Sequence, residues 1–226
     1  MRTMREMGRS ALLVLSFVLP VSLSADEAKK PLTVEEISEK VDAAQSGVKD
    51  AQMDLKMEMK DALSGQVQRI KGQVKIKNPD KVFVHYNEPI DQDLYVSGPL
   101  AQMYQPAQKM VYRRENKTGE EAQTPLYVGV GKELKRYMGI SKVTLLEDSD
   151  QQVRLLFKAK SDDAGFDEMK VTLRKSDWWP TRMEVTTPSA TTRAEFTRFR
   201  FDQGLKDGLF QFTPPKDVEV VDGAVF

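Results

Sequence analysis

VQRIKGQVKIKNPDKVFVHYNEP, residues 67–89, reads as two alternating strands joined by a turn at Asn78-Pro79-Asp80. Ile70, Val74 and Ile76 share one face of the first strand, and Val82, Val84 and Tyr86 share one face of the second. Lys71, Gln73, Lys75 and Lys77 fall on the opposite face, because successive side chains in a strand point to opposite sides. The hairpin has one dry face and one wet face, and the fold must cover the dry one. A second stretch, LFQFTPPKDVEVVDG at 209–223, reads as a short strand stopped by Pro214-Pro215 and followed by an extended terminal piece.

The same alternation extends outward from the hairpin. Upstream, Met53, Leu55, Met57 and Met59 alternate with Asp54, Lys56, Glu58 and Lys60. Downstream, 93–97, 100–104 and 109–113 read as strands separated by turns at Gly98-Pro99 and Gln105-Pro106. A second meander follows at 142–147, 152–160, 168–175, 181–187 and 192–201, giving about eleven strands in all. The stretch 115–125 has the composition of an exposed loop, and 132–138 fits a short helix.

One strongly amphipathic helix stands before the strands. Thr33 followed three residues later by Glu36 is a capping box. Val34, Ile37, Val41 and Ala44 then recur at helical spacing until Gly47, which predicts a helix over Val34–Ser46. An antiparallel sheet of this many strands twists and curls, and a single helix of this length is too small to cover its apolar face. A closed barrel filled by its own side chains solves that problem. So does an open half-barrel with a helix lid, which leaves an apolar cavity. The strand count leaves both open.

Composition narrows the function classes. Arg2, Arg5 and Arg9 precede an apolar run from Ala11 to Leu19, with Pro20, Ser22 and Ser24 after it, so residues 1–24 read as an export signal cleaved after Ser24 or Ala25. Residues 25–226 then form a single domain. Without residues 1–24, the 34 basic and 34 acidic residues become 31 and 33. That near balance argues against nucleic acid, whose binding leaves a strongly basic footprint. The chain has no cysteine, hence no disulfide and no lipid-attachment cysteine of its own.

No catalytic constellation emerges. His85 is the single histidine and lies on the polar side of its strand, so it is read as a surface residue and no metal site is expected. Gly129-Val130-Gly131-Lys132 lacks the spacing of a phosphate loop, and no Gly-x-Ser-x-Gly is present. Asn116-Lys117-Thr118 fits a glycosylation sequon. Met53, Met57, Met59, Met103, Met169 and Met183 lie on apolar strand faces, either as plain core or as an adaptable ligand wall. Trp178-Trp179-Pro180, between two strands, caps a barrel rim or offers a contact surface.

The Gly-x-hydrophobic-x-hydrophobic-Lys-x-Pro hairpin at Gly72–Pro79 and the Phe-x-Phe-Thr-Pro-Pro ending at Phe210–Pro215 resemble those of the LolA-like periplasmic lipoprotein carriers. The resemblance implies a mainly β fold with an α lid: a curved antiparallel sheet forming an incomplete barrel covered by helices. It implies a non-enzymatic, cofactor-free monomer that shields lipoprotein acyl chains, or a related lipid, between inner and outer membrane. An inner-membrane lipoprotein-releasing ABC transporter would load it, and an outer-membrane acceptor lipoprotein would unload it. Ile37, Val41, Met53, Leu55, Met57, Val74, Ile76, Val82, Val84 and Tyr86 would line the cavity and its lid. Many family members carry an arginine before the turn proline, proposed to latch the lid. Asn78 stands there in this chain, and Val84 stands where tryptophan is common. The alternative is a lipid- or lipoprotein-sensing interaction module, since similar half-barrels occur in envelope regulators.

Overall fold

Four strands lead from the N-terminal helix into the meander: β1 (Asp50–Asp61), β2 (Val67–Lys77), β3 (Lys81–Glu88) and β4 (Gln92–Ser97). The computed structural model describes residues 30–115 and 130–223. In it β2 and β3 pair antiparallel, with Val74 opposite Val84 and Ile76 opposite Val82. The register slips between Lys71 and Gly72. At that bulge a Cβ on Gly72 would lie 2.3 Å from the carbonyl oxygen of His85, so the position accepts only glycine.

The remaining strands are β5 (Leu100–Gln105), β6 (Met110–Glu115), β7 (Ser141–Asp148), β8 (Gln152–Ala159), β9 (Glu168–Arg174), β10 (Pro180–Thr186), β11 (Ala190–Phe201) and β12 (Glu219–Asp222). All twelve join one sheet, in the order β12-β6-β5-β4-β3-β2-β1-β11-β10-β9-β8-β7. Two antiparallel meanders meet where β11 pairs with β1. The edge strands β12 and β7 do not pair with each other, so the curved sheet stays unclosed. The half-barrel alternative is the one realised.

Two local expectations need correction. Residues 209–212 are not a strand: Asp207–Phe210 is a 3-10 turn, and the chain beyond it lies unpaired across the outer side of the sheet. Burial decided this, since Phe210 is fully buried and Phe212 stacks 4.8 Å from Tyr95 and 5.0 Å from Tyr104. The terminal piece then returns as β12, which pairs in parallel with β6, so the sheet is not purely antiparallel. The strand expected over 109–113 begins at Met110, because Lys109 takes a left-handed conformation after a 3-10 turn at Pro106–Gln108.

Helix α1 (Val34–Ser46) carries both halves of its capping box. Helix α2 (Val130–Ile140) extends the expected 132–138 segment at both ends. Their apolar sides meet the inner sheet face in one cluster, which includes Ile37, Val41, Leu134 and Tyr137 from the helices. The segment expected to be an export signal, the sequon and most of the 115–125 loop lie outside the described residues. Among the described residues no helix is long and apolar enough to cross a membrane.

Candidate functional site

The inner faces of β1, β2 and β3 form the floor of the site, as strand periodicity dictates. Met53, Leu55, Met57, Val74, Val82, Val84 and Tyr86 are buried, and Ile76 packs against them half-buried. Ile37 and Val41, both completely buried, come down on this surface from α1. None of these ten residues faces bulk solvent. Met169 and Met183 join the same cluster, and Met103 packs at its margin.

Polar contacts at the two ends of the cover add to the apolar packing of Ile37 and Val41. At the C-terminal end the Asn78 amide donates to the carbonyl of Val48 at 2.6 Å and, more weakly, to that of Gln45 at 3.4 Å. The Gln45 carbonyl, in the last turn of α1, also accepts from the Val48 N–H at 3.2 Å, and Val48 lies just beyond the helix. The Gln45 side chain in turn donates to the carbonyl of Trp178, 3.4 Å away in the β9–β10 turn. At the N-terminal end the backbone N–H of Leu32 donates to Asp148 Oδ2 at 2.8 Å, next to the β7–β8 turn. Asp42 of α1 pairs with Lys135 of α2. Three sheet turns therefore grip one helix, and Asn78 occupies the rim rather than the apolar floor.

Two buried hydroxyls on this seam lack partners among the described residues: Ser38 Oγ on α1 and Ser141 Oγ at the start of β7. An unsatisfied buried polar group costs about 1–3 kcal/mol, so the closed arrangement carries a built-in penalty. Trp179 is buried against Phe199 and Phe201, with centroids 6.3 and 5.1 Å away, and so caps the rim. Trp178 lies under the Lys40 ammonium of α1, 5.7 Å from the ring centroid.

Gln45, Asp148, Leu134 and Tyr137 escaped the sequence reading. Gln45 and Asp148 look like any surface polar residue in sequence, and only the fold brings Gln45 of α1 to Trp178 and Asp148 to the chain entering α1. Leu134 and Tyr137 had a usable signal in the i, i+3 spacing of α2. His85 lies on the outer face as expected, half exposed, with Nδ1 2.8 Å from Asp93 Oδ1. Asp93 also bears on Tyr95, whose phenol is pushed well above its ordinary range by burial and by that carboxylate. Among the described residues no group of histidine, aspartate and glutamate is arranged to hold a metal ion.

Comparison with solved structures agrees with this architecture. An uncharacterized conserved protein from Thermus thermophilus superposes with a TM-score of 0.55 at 13% identity, over 83% of this chain and 98% of that one. A LolA superfamily protein from Nitrosomonas europaea gives 0.45 at 13% identity, over 80% and 98%. An outer membrane lipoprotein-sorting protein domain from Vibrio parahaemolyticus, described as putative in its own structure, gives 0.46 at 17%, over 77% and 94%. No curated protein sequence matches the chain. The family model for outer membrane lipoprotein carrier protein LolA matches residues 46–213, which run from the end of α1 through every strand of both meanders to the Phe-x-Phe-Thr motif, and the chain belongs to that family.

Proposed function

We propose that this protein is an exported, periplasmic, non-enzymatic carrier that takes up the acyl chains of a lipoprotein, or of a related lipid, beneath α1. One observation carries the proposal: a continuous apolar sheet face is covered by a helix whose fastenings to the sheet rims are polar. A cover of that kind separates from the sheet without breaking a covalent or metal link. Each methylene taken from water contributes about 0.8 kcal/mol, so a molecule with several long chains needs such a shelter to cross an aqueous space. Membership of a lipoprotein carrier family and the export signal at residues 1–24 support the same reading. Loading by an inner-membrane ABC transporter and unloading to an outer-membrane acceptor complete the cycle that this reading implies, with the carrier acting as a monomer.

The test uses the delipidated mature chain, an apolar fluorescent probe, and a triacylated lipopeptide as competitor. The lipopeptide should displace the probe, and Val84→Asp should abolish uptake of both. A Val84→Met control keeps the site apolar and should preserve uptake. Failure of the lipopeptide to displace the probe, or equal uptake by wild type and Val84→Asp, would overturn the reading.

A further inference from the structure

The outer face of the sheet carries a second feature that the lipid site does not use. Strand pairing aligns its charged side chains into two rows running across the strands. One row reads Arg69, Glu58, Arg193, Glu184, Lys170 from β2 to β9. Its signs alternate, and every neighbour pairs: Arg69–Glu58 at 3.2 Å, Arg193–Glu58 at 3.8 Å, Arg193–Glu184 at 2.6 Å and Lys170–Glu184 at 2.9 Å. Glu168, 3.1 Å from Lys170, balances the third cation, so every charge of this row is paired.

The adjacent row is not fully paired. It reads Lys71, Lys56, Glu195, Arg182, Thr172, Arg154 from β2 to β8. Lys71 and Lys56 stand directly opposite each other, a like-charge pairing that weakens a sheet. Lys71 is neutralised by Glu88 at 2.6 Å, and Arg182 shares Glu195 at 3.4 Å. Lys56 and Arg154 form no ion pair among the described residues, although Glu195 and Glu147 stand opposite them in register. Both rows line one groove of about 650 Å³, which also touches Met57, Ile70, Met183 and Ala194, whose buried side chains belong to the inner apolar cluster.

We propose that this groove binds an extended acidic segment of a protein partner, independently of the lipid site. The unneutralised cations are spread along the row rather than gathered at a point. From Lys56 on β1 to Arg154 on β8 is four strand steps, about 19 Å at the usual strand spacing, too far for one phosphate to bridge. An extended peptide advances about 3.3 Å per residue, so roughly six residues span the two charges. The groove also offers acceptors, in the carboxylates of Glu58 and Glu195 and the hydroxyl of Thr172. A peptide backbone supplies N–H donors to meet them, whereas a polyphosphate or a row of lipid phosphates supplies only acceptors.

The experiment measures fluorescence anisotropy of a fluorescein-labelled peptide of alternating glutamate and serine, added to the mature chain. A peptide with glutamine in place of glutamate serves as the uncharged control. The glutamate peptide should bind, the glutamine peptide should not, and affinity should fall as ionic strength rises from about 0.05 to about 0.15 M. Lys56→Glu combined with Arg154→Glu should weaken binding at least about tenfold, and Lys216→Glu, outside the groove, should leave it unchanged. Lys56→Gln with Arg154→Gln, the milder pair, should give a smaller loss at unaltered melting temperature. Equal binding by the charge-reversed protein overturns the proposal. So does capture of anionic phospholipid vesicles, lost in the same variant, with no binding of the peptide.

Discussion

Asn78 shows how much one side chain at a turn decides. Its amide reaches the carbonyl of Val48 at 2.6 Å, so it acts across space on the end of α1 in addition to shaping its own turn. A charged donor makes a bond about twice as strong as a neutral one. Asn78→Arg should therefore slow uptake of an apolar probe severalfold in stopped-flow fluorescence. Unchanged uptake with a lowered melting temperature would show that the residue serves the turn alone, as asparagine commonly does. Gly72 is decisive in the opposite sense, through what it lacks. With the His85 carbonyl 2.3 Å from any added Cβ, Gly72→Ala must push β2 and β3 apart. Overpacking of this kind costs about 1–3 kcal/mol, and thermal denaturation should show it as a drop of several degrees.

At the scale of elements, the C-terminal segment behaves as a belt. Asp50, buried at the start of β1, accepts backbone N–H bonds from Gln203, Gly204 and Leu205 at 2.8 to 3.0 Å, which turns the chain out of β11. Lys77 and Lys81 both hold Asp207 at 2.9 Å, and its carboxyl is kept below the ordinary range by those two ammonium groups. Phe212 then stacks on Tyr95 and Tyr104 before the chain reaches β6. Phe212→Ala should cost about 2 kcal/mol, from lost area and lost stacking. Hydrogen exchange should then speed up at Val220 and Val221 in β12 before it does in β1.

The outer ionic row gives the sheet a pH dependence. Arg193 first, then Lys170, hold the Glu184 carboxyl below its ordinary value. A depressed carboxyl contributes stability that is fully present above the unfolded value and is lost as pH falls through the folded one. The contribution should begin to fade as pH falls below about 4.3, the ordinary glutamate value, and be lost only below the depressed folded one. Glu184→Gln should lower stability at neutral pH and flatten the acid limb of a melting-temperature profile. An acid limb as steep as in the wild type would assign that dependence to other groups.

On the scale of the whole molecule, the balance between covered and uncovered sheet matters most. The packing of α1 on the sheet is stabilised by the Ile37 and Val41 contacts and opposed by the Ser38 and Ser141 hydroxyls, which have no partner among the described residues. Removing one of those hydroxyls favours closure. Ser38→Ala should raise the melting temperature by a few degrees and weaken apparent lipid-probe affinity severalfold, because the open state that admits the ligand becomes rarer. A gain in stability with unchanged affinity would mean that α1 does not need to lift for binding.

The period-two pattern of β1 to β3 and the capping box of α1 were legible from the sequence because both depend on neighbours only a few residues apart. So was the division of each strand into a dry and a wet face, which assigns Val74, Val84 and Tyr86 to the core on periodicity alone, and all three are buried. The path of the C-terminal segment was not, since an alternating Phe-x-Phe reads the same on a strand as on a belt. Only the aromatic patch of Tyr95 and Tyr104 on the paired strands β4 and β5, far from Phe212 in sequence, told them apart. Whether the sheet closed was likewise undecided, because closure depends on accumulated twist and on which strands reach the edges. The fastening of α1 by Asn78, Trp178 and Asp148 unites residues up to 133 positions from those they bind, and the spare charges of Lys56 and Arg154 depend on strand register. Local periodicity determined the elements and their faces. Long-range register and packing determined what those faces meet.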